Sequence, residues 1–309
     1  MPSVAQAADR AYDYVVVATK AIPEITRTPT LLSPLLSQPY VQTHAQPTYV
    51  LMQNGLNVEK DLYESVKSLR QDPKIISTTI WIGTNMFDSN VVEHNHFDRI
   101  SVGIYRPNDF TTTQNSESEA SLLADFGDVL KEGGSEVTIV PEIQRIKFAK
   151  NFWNVAFSAV SALTRHPLTA IFRLPKPPAD SDADVPPSVT QARLIEENTV
   201  PVLHLILKEL LAVGHALGFP ADETGLPPRL VEDVIRNTGR LHSVPESRHR
   251  ASMLADVENG RPIEVEPIFG EVVRMARDKG VDTPRIELLT RAMPILCNWE
   301  DPDAFEISR

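Results

Sequence analysis

Residues 12–19, YDYVVVAT, decide the fold class of this chain. The run is short and rich in β-branched valine, and polar residues bound it on both sides. Such a run indicates a buried strand of a parallel sheet. Four runs of the same kind follow at 49–52, 75–82, 99–105 and 137–140, and segments with helical spacing lie at 59–70 and 116–131. Strands that alternate with helices predict an α/β fold with a mostly parallel sheet.

The pattern changes at about residue 143, after which every periodic segment is helical. We expect one long helix over 143–172 and further helices over 200–217, 230–238 and 267–280, with another beginning at Pro284. Residues 174–190, LPKPPADSDADVPPSVT, are rich in Pro, Asp and Ser and predict a flexible loop. The chain therefore divides into an incomplete dinucleotide-binding domain at 1–142 and an all-helical domain at 143–309.

Composition excludes several classes of protein. The 309 residues carry a net charge of -11, which argues against binding to nucleic acid. No apolar run approaches the roughly 20 residues that span a bilayer, so no membrane association is expected. A single cysteine, Cys297, suits a reducing compartment, and we expect a cytoplasmic protein. The basic stretch SRHRAS, 247–252, is either a solvated face or an anion-binding pocket.

Three polar side chains interrupt the apolar pattern of the 143–172 segment. Lys150, Asn154 and Ser158 are spaced by four residues, which places them on one face of a helix. Taken alone, the lysine could simply be exposed on the surface. Asparagine is a weak helix former that requires hydrogen-bond partners, so the three together indicate a polar stripe along a cleft.

Other candidate residues lie at the ends of predicted elements. Lys20 and Asn54 each follow a predicted strand, where α/β sheets bind their ligands. Glu264 precedes a predicted helix, and such a carboxylate can equally serve only to stabilise the helix dipole. His94 and His96 have no accompanying Cys or acidic cluster, so we expect no metal site. Cys297 is expected to be a buried structural thiol.

Four stretches give the chain a specific resemblance. They are YVVVATKA at 14–21, LMQNGLNVE at 51–59, WIG at 81–83 and ASMLADVENGRPIEVEPIFGEVVRMARDKGVDTP at 251–284. In this order they resemble ketopantoate reductases, the NADPH-dependent 2-dehydropantoate 2-reductases of pantothenate synthesis. The resemblance extends over nearly the whole chain and implies NADP as cofactor and a small 2-keto acid as substrate.

The resemblance also implies roles for individual residues. Lys150 would be the general acid that protonates the ketone oxygen during hydride delivery, and Glu264 would bind and orient the substrate or the cofactor ribose. Asn154 and Ser252 would bind the substrate. Ser158 stands where the family has a second asparagine, so contacts there would be altered. Lys20 and Asn54 would line the nicotinamide side of the site.

The front of the chain departs from the family pattern. Family members begin with a strand, a G-x-G-x-x-G turn and a helix that binds the pyrophosphate, whereas the first glycine here is Gly55. By resemblance, the strand at 14–19 corresponds to the fourth strand of the family's nucleotide domain. We therefore expect a truncated Rossmann-type sheet whose first strand is an exposed apolar edge, and a homodimer formed through that edge.

Three functions remain open at this point. The first is a ketopantoate reductase-like oxidoreductase. The second is a non-redox enzyme or binding protein that uses Lys150 and Glu264 as acid and base in the helical cleft. The third is an inactive interaction partner. Saturable NADPH binding would distinguish the first function from the other two.

Overall fold

The computed structural model describes residues 3–88, 91–173, 192–245, 247 and 249–297, with the side chains of 85–88, 95–97 and 297 excepted. The chain divides into two compact units, Met1–Lys150 and Asn151–Arg309. The predicted flexible loop at 174–190 lies outside the described residues.

The first unit contains a five-stranded sheet in the order β1-β2-β3-β4-β5. The strands are β1 Tyr14–Val17, β2 Thr48–Leu51, β3 Ile75–Asp88, β4 Val91–Ile104 and β5 Glu136–Ile139. The pairs β1–β2, β2–β3 and β4–β5 are parallel, and the hairpin pair β3–β4 is antiparallel. This sheet confirms the predicted α/β class and its mostly parallel character.

Burial along the strands follows their position in the sheet. All four residues of β2 are buried, because β1 and β3 flank it and helices cover both faces. β1 is an edge strand among the described residues, with Val17 buried but Val16 47% exposed. The predicted apolar edge is therefore present in the sheet.

The β3–β4 hairpin is longer than its sequence predicts. We expected strands over 75–82 and 99–105, but each strand has 14 residues. β2 pairs with β3 only over Ile75–Ser77, and β5 pairs with β4 only over Arg99–Val102. Beyond these residues β3 and β4 pair with each other as a two-stranded ribbon. Such a ribbon does not need the continuous apolar runs of a strand that is buried on both faces, so these runs could not predict its length.

Among the described residues, five α-helices lie before or between the strands of the first unit. They are α1 Val4–Ala7, α2 Thr28–Leu31, α3 Tyr40–Thr43, α4 Lys60–Ser68 and α5 Glu117–Glu132, with a 3-10 turn at Ser33–Leu35. Leu62 and Val66 of α4 pack on one face of the sheet, and Leu123 and Phe126 of α5 pack on the other. Ser116 begins α5 with a capping box, as its spacing to Glu119 favours.

The single helix predicted over 143–172 is wrong. α6, Ile143–Trp153, continues into a π turn, π1, at Asn154–Ser158 and then into α7, Ala159–Thr164. Arg165 ends α7 in the left-handed conformation, and the residue before Pro167 is disfavoured in a helix. The separate short helix α8, Thr169–Phe172, follows.

All described elements of the second unit are helical, as the sequence predicts. The remaining helices are α9 Val200–Leu217, α10 Leu230–Ser243, α11 Ser252–Glu258, α12 Glu271–Asp278 and α13 Pro284–Ala292. Further π turns lie at Ile195–Thr199, π2, and Glu266–Gly270, π3, and a 3-10 turn at Met293–Cys297. The bounds of α9 agree with the prediction, α10 is longer, and α11 was not predicted.

Among the described residues, the helix Ala192–Leu217 is long and apolar enough to cross a membrane by length and composition, contrary to the expectation from apolar runs. One such helix is weak evidence of a membrane span, because a core helix of a globular protein can have the same length and hydropathy. Leu203, Leu207 and Leu210 of this helix are fully buried in the helical unit. Its apolar face therefore has a packing role within the fold.

Candidate active site

Lys150 lies near the end of α6 and is held by polar groups of the sheet. Its Nζ donates to Oδ1 of Asn54 at 2.9 Å and to the carbonyl oxygen of Ile80 at 2.5 Å. It also lies 5.7 Å from the centre of the Trp81 ring, within the range of a cation–π interaction. The structure therefore brings together two of the predicted residues, Lys150 and Asn54.

The turn after β2 places Asn54 at the carboxyl end of the parallel strands. Gly55 has a φ of 90°, a conformation that favours glycine and turns the chain sharply after the strand. Gln53 is buried, and its Nε2 donates to the carbonyl oxygen of Thr19 at 2.9 Å, at the end of β1. Lys20 follows in an exposed position.

Gln53 also provides an unsatisfied acceptor. The bond from Nε2 to Thr19 fixes the orientation of the amide, and its buried Oε1 has no hydrogen-bond partner among the residues that the structure describes. Unpaired buried oxygens are rare and call for an explanation. An acceptor here, with Asn54 beside it, fits the carboxamide of a nicotinamide ring, which supplies N–H donors.

A second lysine of α6 forms a buried network that the sequence did not reveal. Lys147 Nζ donates to Glu59 Oε1 at 2.5 Å and to Ser77 Oγ at 3.2 Å, and Ser77 Oγ itself donates to Glu59 Oε1. All three side chains are at most 6% exposed. The pair could not be found from spacing, because 88 residues separate its members.

In the second unit, Asn154 and Ser158 are the first and last residues of π1. Asn154 is half-buried, whereas Ser158 is 1% exposed and its Oγ has no hydrogen-bond partner in the described part of the chain. A π turn holds an extra residue, so a spacing of four no longer completes one turn. The predicted alignment on one face therefore does not extend to Ser158.

Ser252 lies on, and Glu264 lies just before, elements that contact π1. Ser252 is the exposed first residue of α11, and α11 contacts π1. Glu264 is buried and lies two residues before π3, which also contacts π1. Asn151 of α6, another buried residue that the sequence did not indicate, donates from Nδ2 to the carbonyl oxygen of Ile268 at 2.8 Å and so ties π3 to the end of α6.

Five aromatic side chains of the second unit form a closed cycle of ring contacts. In order these are Trp153, Phe157, Phe172, His242 and His249, with ring centres 5.2–6.4 Å apart. His242 is fully buried, and within the described ranges neither of its ring nitrogens has a hydrogen-bond partner. Burial lowers the pKa of His242 to about 4, so the imidazole is neutral at physiological pH.

The basic stretch at 247–252 and the histidines at 94 and 96 are the weaker candidates from the sequence. In the 247–252 stretch, Arg250 pairs with Glu258 at 2.6 Å on the surface, which favours the solvated-face interpretation. Among the described residues, no group of three or more His, Cys, Asp and Glu could hold a metal ion. The side chains of His96 and Cys297 lie outside that part of the chain.

Comparison with known protein families gives two matches in separate parts of the chain. The model described as "Ketopantoate reductase PanE/ApbA" matches residues 1–107, and "Ketopantoate reductase PanE/ApbA C terminal" matches residues 188–294. Together the two models match more than two thirds of the chain.

Individual relatives are distant in sequence. An uncharacterised protein of Saccharomyces cerevisiae is 23% identical, covering 92% of this chain and 72% of that protein. A 2-dehydropantoate 2-reductase of Nostoc is 22% identical, covering 92% of this chain and 74% of the enzyme.

Solved structures share the fold. The 2-dehydropantoate 2-reductase of Methylococcus capsulatus has a TM-score of 0.67 at 23% identity, covering 95% of this chain and 77% of its own. A ternary complex of D-mandelate dehydrogenase with NADH and anilino(oxo)acetate has a TM-score of 0.65 at 16% identity, with coverage of 94% and 77%. A dimeric ketopantoate reductase of Staphylococcus aureus has a TM-score of 0.61 at 16% identity, with coverage of 93% and 78%.

Proposed function

Because this chain belongs to the ketopantoate reductase family, we propose that it reduces a small 2-keto acid, ketopantoate to pantoate, with NADPH. The observation that carries this proposal is the position of Lys150, whose Nζ is held by Asn54 Oδ1 at the carboxyl end of β2. This is where open α/β sheets bind their ligands. The bound cofactor supplies the hydride.

Lys150 is the proposed general acid. Hydride addition to a ketone builds negative charge on the carbonyl oxygen, and an ammonium group can both stabilise that charge and donate the proton. Asn54 Oδ1 and the Ile80 carbonyl oxygen both accept hydrogen bonds from Nζ and so orient the amine. They also restrict Nζ to one position.

The remaining roles are proposed on the family resemblance, supported by where each residue lies. Asn154, Ser158 and Ser252 would bind the substrate, and the elements that carry them pack on one another. Glu264 would bind and orient the substrate or the cofactor ribose. Lys20 and Asn54 would line the nicotinamide side, where Gln53 offers its unpaired oxygen. We place the enzyme in the cytoplasm and in pantothenate synthesis.

The test is a reductase assay on the purified full chain. NADPH oxidation is followed at increasing ketopantoate concentration, with a phenyl-substituted 2-keto acid as a second substrate. Lys150→Ala should lower kcat by about 10²–10⁴-fold, the usual contribution of a general acid. The matched control, Lys60→Ala, removes an exposed lysine and should leave kcat unchanged. Absence of saturable NADPH binding in a fluorescence titration would overturn the proposal and favour a non-redox function.

A further inference from the structure

Two lysines about one helical turn apart on α6 each contact the connection between β2 and α4, residues 52–59, and also contact β3. Lys147 reaches the last residue of this connection through Glu59 and the beginning of β3 through Ser77. Both contacts are buried, with Lys147 at 6%, Glu59 at 1% and Ser77 at 0% exposure. Every member of this network donates to or accepts from another member.

Lys150 repeats the arrangement three residues further along the helix. It reaches the turn after β2 through Asn54 and β3 through the carbonyl oxygen of Ile80. Ile80 follows Ser77 by three residues on β3, just as Lys150 follows Lys147 by three residues on α6. The hydrogen bonds of Lys147 therefore hold α6 against the same connection and strand that position Lys150.

Stability alone does not account for a buried ion pair. Desolvation of two charges cancels most of their attraction, and an apolar pair of similar volume stabilises a fold equally well. The pair instead makes the packing of α6 specific, because a short charge-assisted hydrogen bond requires a defined geometry of its donor and acceptor. It also neutralises the charge of Lys147, which would otherwise act on Lys150 one turn away.

We propose that Glu59 and Lys147 are positioning residues, which set the register of α6 against β3 and protect the Lys150 ammonium from an uncompensated neighbouring charge. The assignment rests on the proposed function of Lys150 as general acid. Neither residue contacts the reacting atoms. Their effect is on where the acid lies and on the pH at which it holds its proton.

The two single substitutions should act with opposite signs. Glu59→Gln keeps the hydrogen bonds but leaves the Lys147 cation uncompensated, so it should lower the pKa of Lys150 by about one pH unit. Lys147→Met leaves the Glu59 carboxylate without its cation and should raise the pKa of Lys150. The double variant removes both charges and should return the pKa to the wild-type value.

Two readouts separate this proposal from the proposed function. The first is an NMR titration of the ¹³Cε signals in ¹³C-lysine-labelled full chain, with Lys150 assigned from Lys150→Arg; it requires no turnover. The second is the alkaline limb of the kcat profile, which should shift in the same direction. The control is Asp128→Asn, which breaks an exposed ion pair with Lys131 and should shift neither readout.

Opposite shifts in the NMR titration would support the positioning role, even if no reductase activity were found. An unchanged Lys150 titration in both single variants, accompanied only by loss of stability, would overturn it. The double variant, Glu59→Gln with Lys147→Met, buries no charge at this site and fills the same volume, so it should fold even if a single variant does not. Its Lys150 titration then provides the test. A double variant that kept a shifted Lys150 pKa would contradict the electrostatic part of the proposal.

Discussion

The carboxylate of Glu209, in the middle of α9, caps the start of α13 at Ile286. Its Oε2 accepts the backbone N–H of Ile286 at 3.1 Å, and its oxygens also accept the backbone and the guanidinium of Arg285. Glu209 is 8% exposed. The first N–H groups of a helix have no partner within it, so a buried acceptor from another helix satisfies them.

Replacement of Glu209 should therefore destabilise the helical unit. Glu209→Ala leaves those N–H groups unpaired and should cost about 2–3 kcal/mol of unfolding free energy. Glu209→Gln keeps one acceptor oxygen and should cost less. Urea denaturation measures both. The control is Glu197→Gln on π2, which alters an exposed carboxylate and should change stability by less than about 0.5 kcal/mol.

Acidification should destabilise the second unit through His242. Burial, with smaller effects of His249 and Arg173, lowers its pKa from 6.5 to about 4 in the folded protein. Between those values the unfolded chain binds a proton that the folded chain does not, so stability falls as pH drops from about 6.5 towards 4. The loss can reach about 3 kcal/mol.

The measurement is the unfolding free energy of wild type and His242→Phe across that pH range. Phenylalanine preserves the aromatic cycle but cannot titrate, so its stability should fall less on acidification. Identical pH dependence of the two proteins would contradict a neutral, buried His242.

Two buried glycines should respond to alanine in opposite directions. A Cβ on Gly103 of β4 would lie 2.8 Å from Ile143 Cβ and 2.8 Å from the carbonyl oxygen of Val140, so Gly103→Ala should cost about 1–3 kcal/mol. A Cβ on Gly127 of α5 would meet Ile139 at an ordinary 3.5 Å. Gly127→Ala should stabilise by about 0.5–1 kcal/mol, because alanine favours a helix. Thermal unfolding of both variants checks the two signs.

The exposed edge of the sheet predicts self-association. Val16 of β1 is 47% exposed on an edge strand, and such strands pair with further strands unless charge prevents it. Light scattering at high concentration should detect a dimer of the wild type and a monomer of Val16→Lys. The surface variant Val129→Lys, on α5, is the control and should remain dimeric. A monomeric wild type would remove the basis for a dimer formed through β1.

The sequence predicted elements whose signals are local. The apolar stripe over 200–217 predicts α9 with its observed bounds, and the structure shows that Gly218 ends the helix in the left-handed conformation. The sequence indicates both Lys150 and Asn54 as candidate site residues, but only the structure shows the hydrogen bond between them. The Glu59–Lys147 pair and the long ribbon of β3 and β4 were missed. The pair joins distant parts of the chain, and the ribbon lacks the apolar runs of a covered strand.

π1 also shows why spacing failed at Ser158. One residue of an α-helix corresponds to a rotation of about 100°, and a π turn accommodates one extra residue without ending the helix. Relative to an unbroken α-helix, the 154–158 segment is thus equivalent to a single-residue insertion. Deletion of one residue there would preserve a helix but rotate α7 by about 100° relative to α6. The direction in which α7 presents its side chains relative to α6 is consequently set by the number of residues in this segment.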